Sequence, residues 1–169
     1  YFKTHYYLPE SALKDKADKE LYKYWKQQGY LTVTSGNVTD YDYITADMLR
    51  YADVVNIQSV GYDKYNATQW AIDSTEQGLP SEEYPQTLGN FNMPTRELER
   101  LILSGKAVID NNEINRYCFR NVTLKSDYNG NVKPNKAVDK KKIDGTIAMI
   151  QALGMYLRNP RFSNEIITI

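Results

Sequence analysis

The segment from Val54 to Tyr62 constrains the fold more than any other part of the sequence. Read as a strand, it carries Val55 and Ile57 on one face and Val54 and Val60 on the other. A strand that is apolar on both faces is typical of the centre of a sheet that other elements cover on both sides. The segment therefore predicts a layered α/β fold, with Asp63 directly after a central strand.

Helical and strand periodicities alternate along the rest of the chain. Asn129-Gly130 lies between two strand-like runs and predicts a β-hairpin. The predicted strands are 2–8, 31–34, 54–62, 84–88 and 107–109, with the hairpin at 121–125 and 131–136. The predicted helices are 11–28, one capped by Asp40 or Asp42, 67–77 capped by Asn66, 94–103 opened by Pro94, 113–120 and 141–158. An apolar tail at 162–169 is expected to dock at an edge. Together these elements indicate a mixed β-sheet flanked by helices on both faces.

Composition excludes several classes of protein. A chain of 169 residues has room for one domain, or at most two small ones, and no repeat or linker divides it. Lys plus Arg and Asp plus Glu each total 21, so binding to nucleic acid through net charge alone is excluded, while a local basic groove is not. Cys118 is the single cysteine, which excludes a disulfide framework and fits a reducing cytoplasm. No run approaches the ~20 apolar residues that cross a bilayer, and no signal peptide is visible.

Any catalytic chemistry is expected to rest on carboxylates. His5 is the only histidine, so a histidine triad or a two-histidine metal site within the chain is excluded. Asp63 follows the central strand, where ligands gather in open α/β sheets, although a turn or helix cap explains it equally well. Asp144 lies in the first turn of the last helix, where the helix dipole alone also favours a carboxylate. If the two converge, oxygen ligands of this kind fit two Mg²⁺ or Mn²⁺ ions that cleave a phosphodiester.

Basic side chains cluster beside the second of these carboxylates. A solvated hairpin surface explains them as well as a phosphate-binding edge does. The lysines on or between the hairpin and the last helix are Lys125, Lys133, Lys136, Lys140, Lys141 and Lys142. On the second explanation, these cations hold a DNA backbone beside the metal site.

An ordered series of short stretches resembles the C-terminal part of tailed-bacteriophage terminase large subunits. The hairpin, the Ile-Asp-Gly of residues 143–145 and the helix that follows resemble the closing segment of that family. The stretches that carry the resemblance are 8–10, 25, 29–34, 36–38, 40–42, 62–67, 98–105, 121–125, 129–136, 142–145 and 148–154. The resemblance covers nearly the whole chain in the right order.

The resemblance implies a nuclease domain of ribonuclease-H-like fold that cuts concatemeric double-stranded DNA during genome packaging. In this family an acidic cluster comes from the first strand, a later central strand and the last helix. Asp63 matches the second position and Asp144 the third, while the first-strand aspartate has no counterpart in the chain. The resemblance thus implies that residues 1–169 are one nuclease domain, as a fragment without the ATPase domain and without the first strand.

The same resemblance implies the setting in which the domain works. Its partners would be double-stranded DNA, the ATPase domain of the same polypeptide, the small terminase subunit and the portal, with no membrane. Its location would be the cytoplasm of the bacterial host. An alternative from a different class is a non-catalytic module of the same fold that binds DNA or a portal-like partner, which the missing first strand leaves open. A different nuclease or resolvase on this fold is less favoured, because the hairpin ahead of the last acidic helix is not expected there.

Overall fold

The strands of the protein form pairs. A computed structural model describes residues 1–14, 18–65, 67–138 and 141–159. Its strands are β1 (Tyr7–Pro9), β2 (Thr32–Thr34), β3 (Val60–Tyr62), β4 (Ser81–Glu83), β5 (Val122–Ser126) and β6 (Val132–Lys136). β1 pairs with β2 and β3 with β4 in parallel, whereas β5 and β6 form an antiparallel hairpin. Parallel and antiparallel pairs among helices confirm the mixed α/β class.

Helices connect and cover these strand pairs. One turn of 3-10 helix spans Glu10–Leu13. The α-helices within the described ranges are α1 (Lys19–Gln27), α2 (Tyr41–Ala52), α3 (Thr68–Glu76), α4 (Leu88–Leu103), α5 (Glu113–Arg120) and α6 (Asp144–Arg158). None of these helices is both long and apolar enough to cross a bilayer. Of the two predicted caps, Asp40 and Asp42, the structure has Asp40, whose carboxylate accepts a hydrogen bond from the Tyr43 amide at 2.9 Å.

Helix α6 forms the centre of the main hydrophobic core. Met149, Ile150 and Leu153 are buried on it and meet residues of β1's leading segment, α4 and the β4–α4 connection. A second cluster of buried residues lies between α1, β2 and α5, around Trp25 and Cys118. Helix α6 contacts both α4 and α5. Because Asp144 is the first residue of α6, these contacts determine where Asp144 lies.

The predicted strand 54–62 is shorter in the structure than the pattern indicates. Helix α2 continues through a final turn in which the amides of Val54 and Val55 both bond to the Tyr51 carbonyl, and the Val54 side chain is 77% exposed. Pairing between β3 and β4 begins only at Val60, because β4 has three residues with which β3 can pair. The apolar alternation identified the position of the strand correctly but not its length.

The predictions of a strand at 84–88 and of a helix opened by Pro94 are wrong. The strand lies earlier, as β4, and α4 begins at Leu88 after a Thr87 cap that accepts from the Asn90 amide. Pro94 is buried inside α4, and its missing N–H would leave the Asn90 carbonyl without its helical partner. The Tyr84 hydroxyl donates to that carbonyl at 2.7 Å, which allows the proline within the helix.

Most of the remaining predicted elements are confirmed, but the strand predicted at 2–8 is reduced to an isolated bridge at Phe2 and to β1. The hairpin pairs over five residues on each strand, with Gly130 in the left-handed region at φ 77°. The helix predicted at 11–28 is divided into the 3-10 turn and α1, and the strand predicted at 107–109 is reduced to one bridge from Ile109 to Phe2. The Asn66 cap and the tail at 162–169 lie outside the described residues.

Tyr84 provides a test of how closely α6 packs. Its ring is 1% exposed, and a methyl group added at Gly154 would overlap its hydroxyl. We expect Gly154→Ala to lower the free energy of unfolding by about 1–3 kcal/mol. Gly89→Ala on α4, where the added methyl meets no heavy atom within 4 Å, should leave it unchanged or raise it by up to about 1 kcal/mol. Urea titrations of both variants measure the difference, and equal midpoints would contradict the close approach.

Candidate active site

Asp63 lies on the turn that leaves β3. Its side chain is exposed, and its two carboxylate oxygens have different partners. Oδ1 accepts from the Tyr65 amide at 3.1 Å, as in an Asx turn, and Oδ2 accepts from the Gln86 side-chain amide at 2.7 Å. The carboxylate therefore holds the turn and is also open to solvent. Gln86, which the sequence analysis did not single out, fixes its direction.

Asp144 is the first residue of α6, and its carboxylate is exposed. Beside it lie the buried side chains of Tyr22 and Cys118. Burial raises the pKa of both groups, and the negative charge of Asp144 adds to the rise in each. The backbone N–H groups of Gly145 and Thr146 at the start of α6 oppose this rise in the pKa of Cys118. Asp144 thus lies at the N-terminus of α6, beside Tyr22 and Cys118.

A buried polar network lies beneath the start of α6. The Tyr6 hydroxyl donates to Asn115 Oδ1, and the Thr4 hydroxyl lies 2.9 Å from Asp110 Oδ1 and 3.0 Å from Asn115 Oδ1. Asn115 Nδ2 in turn donates to Asp110 Oδ1 at 2.6 Å. The same Tyr6 hydroxyl packs directly on Gly145, where an added methyl group would overlap it. The network therefore determines where the N-terminus of α6 lies and, with it, the position of Asp144.

The roles of Tyr6, Asn115 and Asp110 were not predicted from the sequence. One pattern in the sequence could have indicated this network. Thr4 and Tyr6 lie on the same face of the predicted first strand, opposite a helix. Nothing in the sequence indicates that Asn115, inside a short helix, would be 2% exposed and hydrogen-bonded to that strand. Only the folded chain brings residues so distant in sequence together.

Asp144 begins α6, whereas the strand before Asp63 packs near the other end of that helix. Tyr6 packs on Gly145 and Tyr84 packs on Gly154. These two glycines are nine positions apart, or about 14 Å along the helix axis. Asp144 belongs to the first end, whereas Asp63 follows β3, whose Gly61 packs on Met155 near the second. The two carboxylates thus have different neighbours in the chain.

The carboxylate oxygens of the two aspartates are the type of ligand that a hard cation binds. Both aspartates are exposed and offer oxygen ligands alone, which suits Mg²⁺ or Mn²⁺. Among residues 1–14, 18–65, 67–138 and 141–159, however, no three His, Cys, Asp or Glu side chains lie close enough together to hold a metal ion. At the predicted positions the chain therefore offers two exposed carboxylates, Asp63 and Asp144.

The hairpin register separates the lysines onto different surfaces. Lys125 and Lys133 lie directly opposite each other across β5 and β6 and share one face. Lys136 is opposite Val122, on the other face, the one that buries Val132. Adjacent like charges at Lys125 and Lys133 repel each other, so this face favours an anion between them.

The lysines before α6 have other surroundings. Lys141 lies 3.9 Å from an Asp18 oxygen and 5.7 Å from the centre of the Tyr117 ring, so it faces α1 and α5. Lys142 is exposed two residues before Asp144. Lys140 lies outside the described residues. The predicted basic cluster therefore comprises a paired hairpin face and separate lysines near the α6 N-terminus.

Helix α4 anchors the hairpin through polar contacts to its backbone. Asn92 Oδ1 accepts from the Val132 amide at 2.9 Å, and Arg96 donates to the Gly130 carbonyl at 2.5 Å. Asp127 closes the turn by accepting from the amides of Asn129 and Asn131. The face that carries Lys125 and Lys133 is thereby held outward.

The protected position of Cys118 can be tested with a thiol reagent. The side chain is 2% exposed, and burial keeps its pKa above the ordinary value, so little thiolate forms near neutral pH. We expect the native chain to react more than about tenfold more slowly than the urea-unfolded chain at the same pH. Free glutathione under both conditions corrects for the effect of urea on the reagent. Equal rates in both states would contradict the burial of Cys118 against α6.

Comparisons with known proteins give a consistent result. A family model described as the endonuclease domain of the terminase large subunit matches residues 1–159. Protein YmfN of Escherichia coli (strain K12) is 31% identical over 97% of this chain and 40% of its own length. The terminase large subunit of Enterobacteria phage HK97 is 27% identical over 88% of this chain and 30% of its own length. The chain therefore spans less than half the length of either relative.

Two solved structures share the fold. The crystal structure of the HK97 bacteriophage large terminase superposes with a TM-score of 0.78 at 27% identity, over 88% of this chain and 32% of that one. The large terminase nuclease from thermophilic phage G20c superposes with a TM-score of 0.55 at 14% identity, over 73% of this chain and 64% of that one. The second likeness concerns the fold alone, which is ribonuclease-H-like.

Proposed function

The chain belongs to the family of terminase large subunit endonuclease domains, and from this premise we propose that it cuts concatemeric double-stranded DNA during the packaging of a phage genome. The observation that carries the proposal is the family match across residues 1–159, a range that contains both Asp63 and Asp144. The absence of a histidine pair or a cysteine cluster from the sequence leaves carboxylates as the groups for such chemistry. The reaction is hydrolysis of a phosphodiester bond.

In the proposed mechanism, Asp63 and Asp144 hold divalent cations, Mg²⁺ or Mn²⁺, with their carboxylate oxygens. Two such ions, when bound, activate water and stabilise the leaving oxygen of a phosphodiester. Gln86 fixes one oxygen of Asp63, and the Tyr6–Asn115 network holds the helix end that carries Asp144. The chain's own contribution is to orient its two carboxylates before the substrate arrives.

We further propose that a third carboxylate completes the site from a strand outside this chain. The resemblance assigns the first acidic position to a strand before Tyr1, and the relatives are more than twice as long as this chain. Residues 1–169 then form most of one nuclease domain, with an ATPase domain elsewhere in the same polypeptide. The partners that follow are the small terminase subunit and the portal, in the cytoplasm of a bacterial host.

The proposed DNA-binding groups are Lys125, Lys133, Lys136, Lys140, Lys141 and Lys142. The pair Lys125 and Lys133 is the best supported, since two cations on one outward face suit successive phosphates. Lys142 is exposed beside the start of α6 and suits a phosphate near Asp144. Contacts of this kind hold the backbone without reading base sequence.

Replacement of Asp144 by asparagine tests the catalytic proposal. In the intact terminase polypeptide that contains this chain, we expect Asp144→Asn to lower Mn²⁺-dependent plasmid cleavage by about 100-fold or more, because several kcal/mol of charge stabilisation are lost. Glu99→Gln, an exposed carboxylate on α4, is the matched control and should cleave normally. Unchanged nicking by Asp144→Asn would overturn the proposed catalytic role.

One observation favours a second candidate function for the isolated chain. Among the described residues, no three His, Cys, Asp or Glu side chains lie close enough together to hold a metal ion. A chain with two carboxylates is expected to bind metal weakly, so residues 1–169 alone would act as a non-catalytic module that binds DNA or a portal-like partner. Calorimetric titration with Mn²⁺ separates the two functions, because saturable binding that Asp144→Asn abolishes supports the nuclease.

The hairpin lysines can be tested by the salt dependence of DNA binding. Each lost phosphate contact should reduce the slope of log K against log salt concentration by about 0.9. We therefore expect Lys125→Gln with Lys133→Gln to reduce the slope by about 2. The control, Lys14→Gln with Lys26→Gln, removes the same charge from exposed positions elsewhere and should leave the slope unchanged. Equal reductions in both double variants would contradict a specific hairpin contact.

A further inference from the structure

The hairpin formed by β5 and β6 is a two-stranded antiparallel ribbon with one free face. One face packs on α4 and buries Val132. Because side chains alternate between the two faces of a strand, the opposite face carries two other cross-strand pairs. These pairs are Lys125 with Lys133 and Thr123 with Asn135. The free face of the hairpin is therefore made of polar side chains that can form hydrogen bonds.

The dimensions of this free face match the major groove of duplex DNA. That groove is about 12 Å wide and admits a two-stranded ribbon, whereas the minor groove, at about 6 Å, does not. The two cross-strand pairs of the free face are two residues apart, which is about 6.8 Å along a strand. This distance corresponds to about two base-pair steps of 3.4 Å. A duplex that meets the free face would therefore receive it in the major groove.

The two pairs offer different chemistry to a duplex. Lys125 and Lys133 are cations and suit phosphates, whereas Thr123 and Asn135 are exposed and uncharged. The Asn135 Nδ2 lies 3.5 Å from the Lys136 carbonyl, beyond the usual hydrogen-bond range, so this side chain can turn to another partner. An asparagine side chain can donate to N7 and accept from N6 of one adenine, and both atoms face the major groove. Asn135 thus has the chemistry of a base-reading residue.

The ribbon is held in place by contacts at both of its ends. Near its turn, Asn92 and Arg96 of α4 form hydrogen bonds to backbone atoms of the hairpin. At its base, the Ala137 amide donates to the Asn121 carbonyl at 2.8 Å. A surface that is already ordered loses less conformational entropy when it binds. The free face is therefore fixed before DNA arrives.

Asn135 lies toward the end of the ribbon that is joined to the start of α6. The Asn121 side-chain amide donates to the Lys142 carbonyl at 3.4 Å. Thr123, the partner of Asn135, is two residues from Asn121, and Asp144 is two residues from Lys142. At no more than about 3.6 Å per residue, this path spans less than one helical turn of DNA, which is about 34 Å. A base read by Asn135 would therefore lie within one turn of the bond that Asp144 helps to cleave.

We propose that the free face of the hairpin enters the major groove of the DNA, and that Asn135 reads an adenine there within one helical turn of the cut. Asn135 is then a specificity-determining residue, whereas Lys125 and Lys133 hold the neighbouring phosphates. The domain consequently favours duplex sites that carry an adenine at this position. This inference rests on the proposed function, because it takes duplex DNA as the substrate.

Selection from a library of random duplexes tests the inference without cleavage. The intact terminase polypeptide that contains this chain is allowed to bind the library in EDTA, and the bound DNA is sequenced. We expect the unmodified protein to enrich a motif with one adenine by about fivefold or more, and Asn135→Ala to lose that enrichment. The control, Asn37→Ala, removes another exposed asparagine, between β2 and α2, and should keep the motif.

A base analogue in the enriched duplex then identifies the groove. 7-Deazaadenine lacks the N7 acceptor of the major-groove edge but keeps the base pair and the phosphates. At a fixed salt concentration, we expect this analogue to weaken binding of the unmodified protein by about fivefold or more. Binding of Asn135→Ala should not change further, because the group that reads N7 is already absent. Asn135→Thr, which keeps a strand-forming residue, repeats the measurement if Asn135→Ala lowers the urea midpoint.

Three outcomes would overturn the inference. Salt-dependent binding without a base preference would make the free face a phosphate contact alone and would leave the proposed function standing. An adenine preference that persists in Asn135→Ala would assign the reading of bases to another part of the polypeptide. Failure of the intact polypeptide to bind duplex DNA at any salt concentration would overturn this inference and the proposed function together.

Discussion

The structure depends on the close approach of two tyrosine hydroxyls to two glycines of α6. Tyr6 reaches the helix at Gly145 and Tyr84 reaches it at Gly154, in each case nearer than any side chain larger than hydrogen would allow. Each hydroxyl also has a fixed partner, Asn115 for Tyr6 and the Asn90 carbonyl for Tyr84. The helix that carries Asp144 is thereby held at both ends, by the first strand pair at one and by the second at the other.

This arrangement explains how separate strand pairs are held together in one α/β fold. Each parallel pair is only three residues long and has little stability of its own. Helix α6 supplies the shared apolar surface, and α2 connects the same two regions on the opposite face through Asp47 and Thr45. The helices thus hold the strand pairs together, because they keep the strands at a fixed separation.

The sequence allowed the fold class and several elements to be predicted, for reasons that are local. The hairpin follows from Asn129-Gly130, and α2 from its Asp40 cap. Pro94 was misleading because its usual place is the first turn of a helix, and only the distant Tyr84 hydroxyl makes an internal proline acceptable. Likewise, alternation located Asp63 after a strand, but neither Gln86 nor the Asn115 network can be found by spacing, because both depend on long-range contacts. The roles of Asp63 and Asp144 stay predictions.

The attachment of the hairpin has a consequence for divergence within the family. Asn92 and Arg96 form hydrogen bonds to backbone atoms of the hairpin, and the buried Val132 and Pro134 face inward. The identity of the outward residues contributes almost nothing to where the hairpin sits. A change of charge on that outer face should therefore leave the position of the hairpin unchanged, because the scaffold beneath it stays the same.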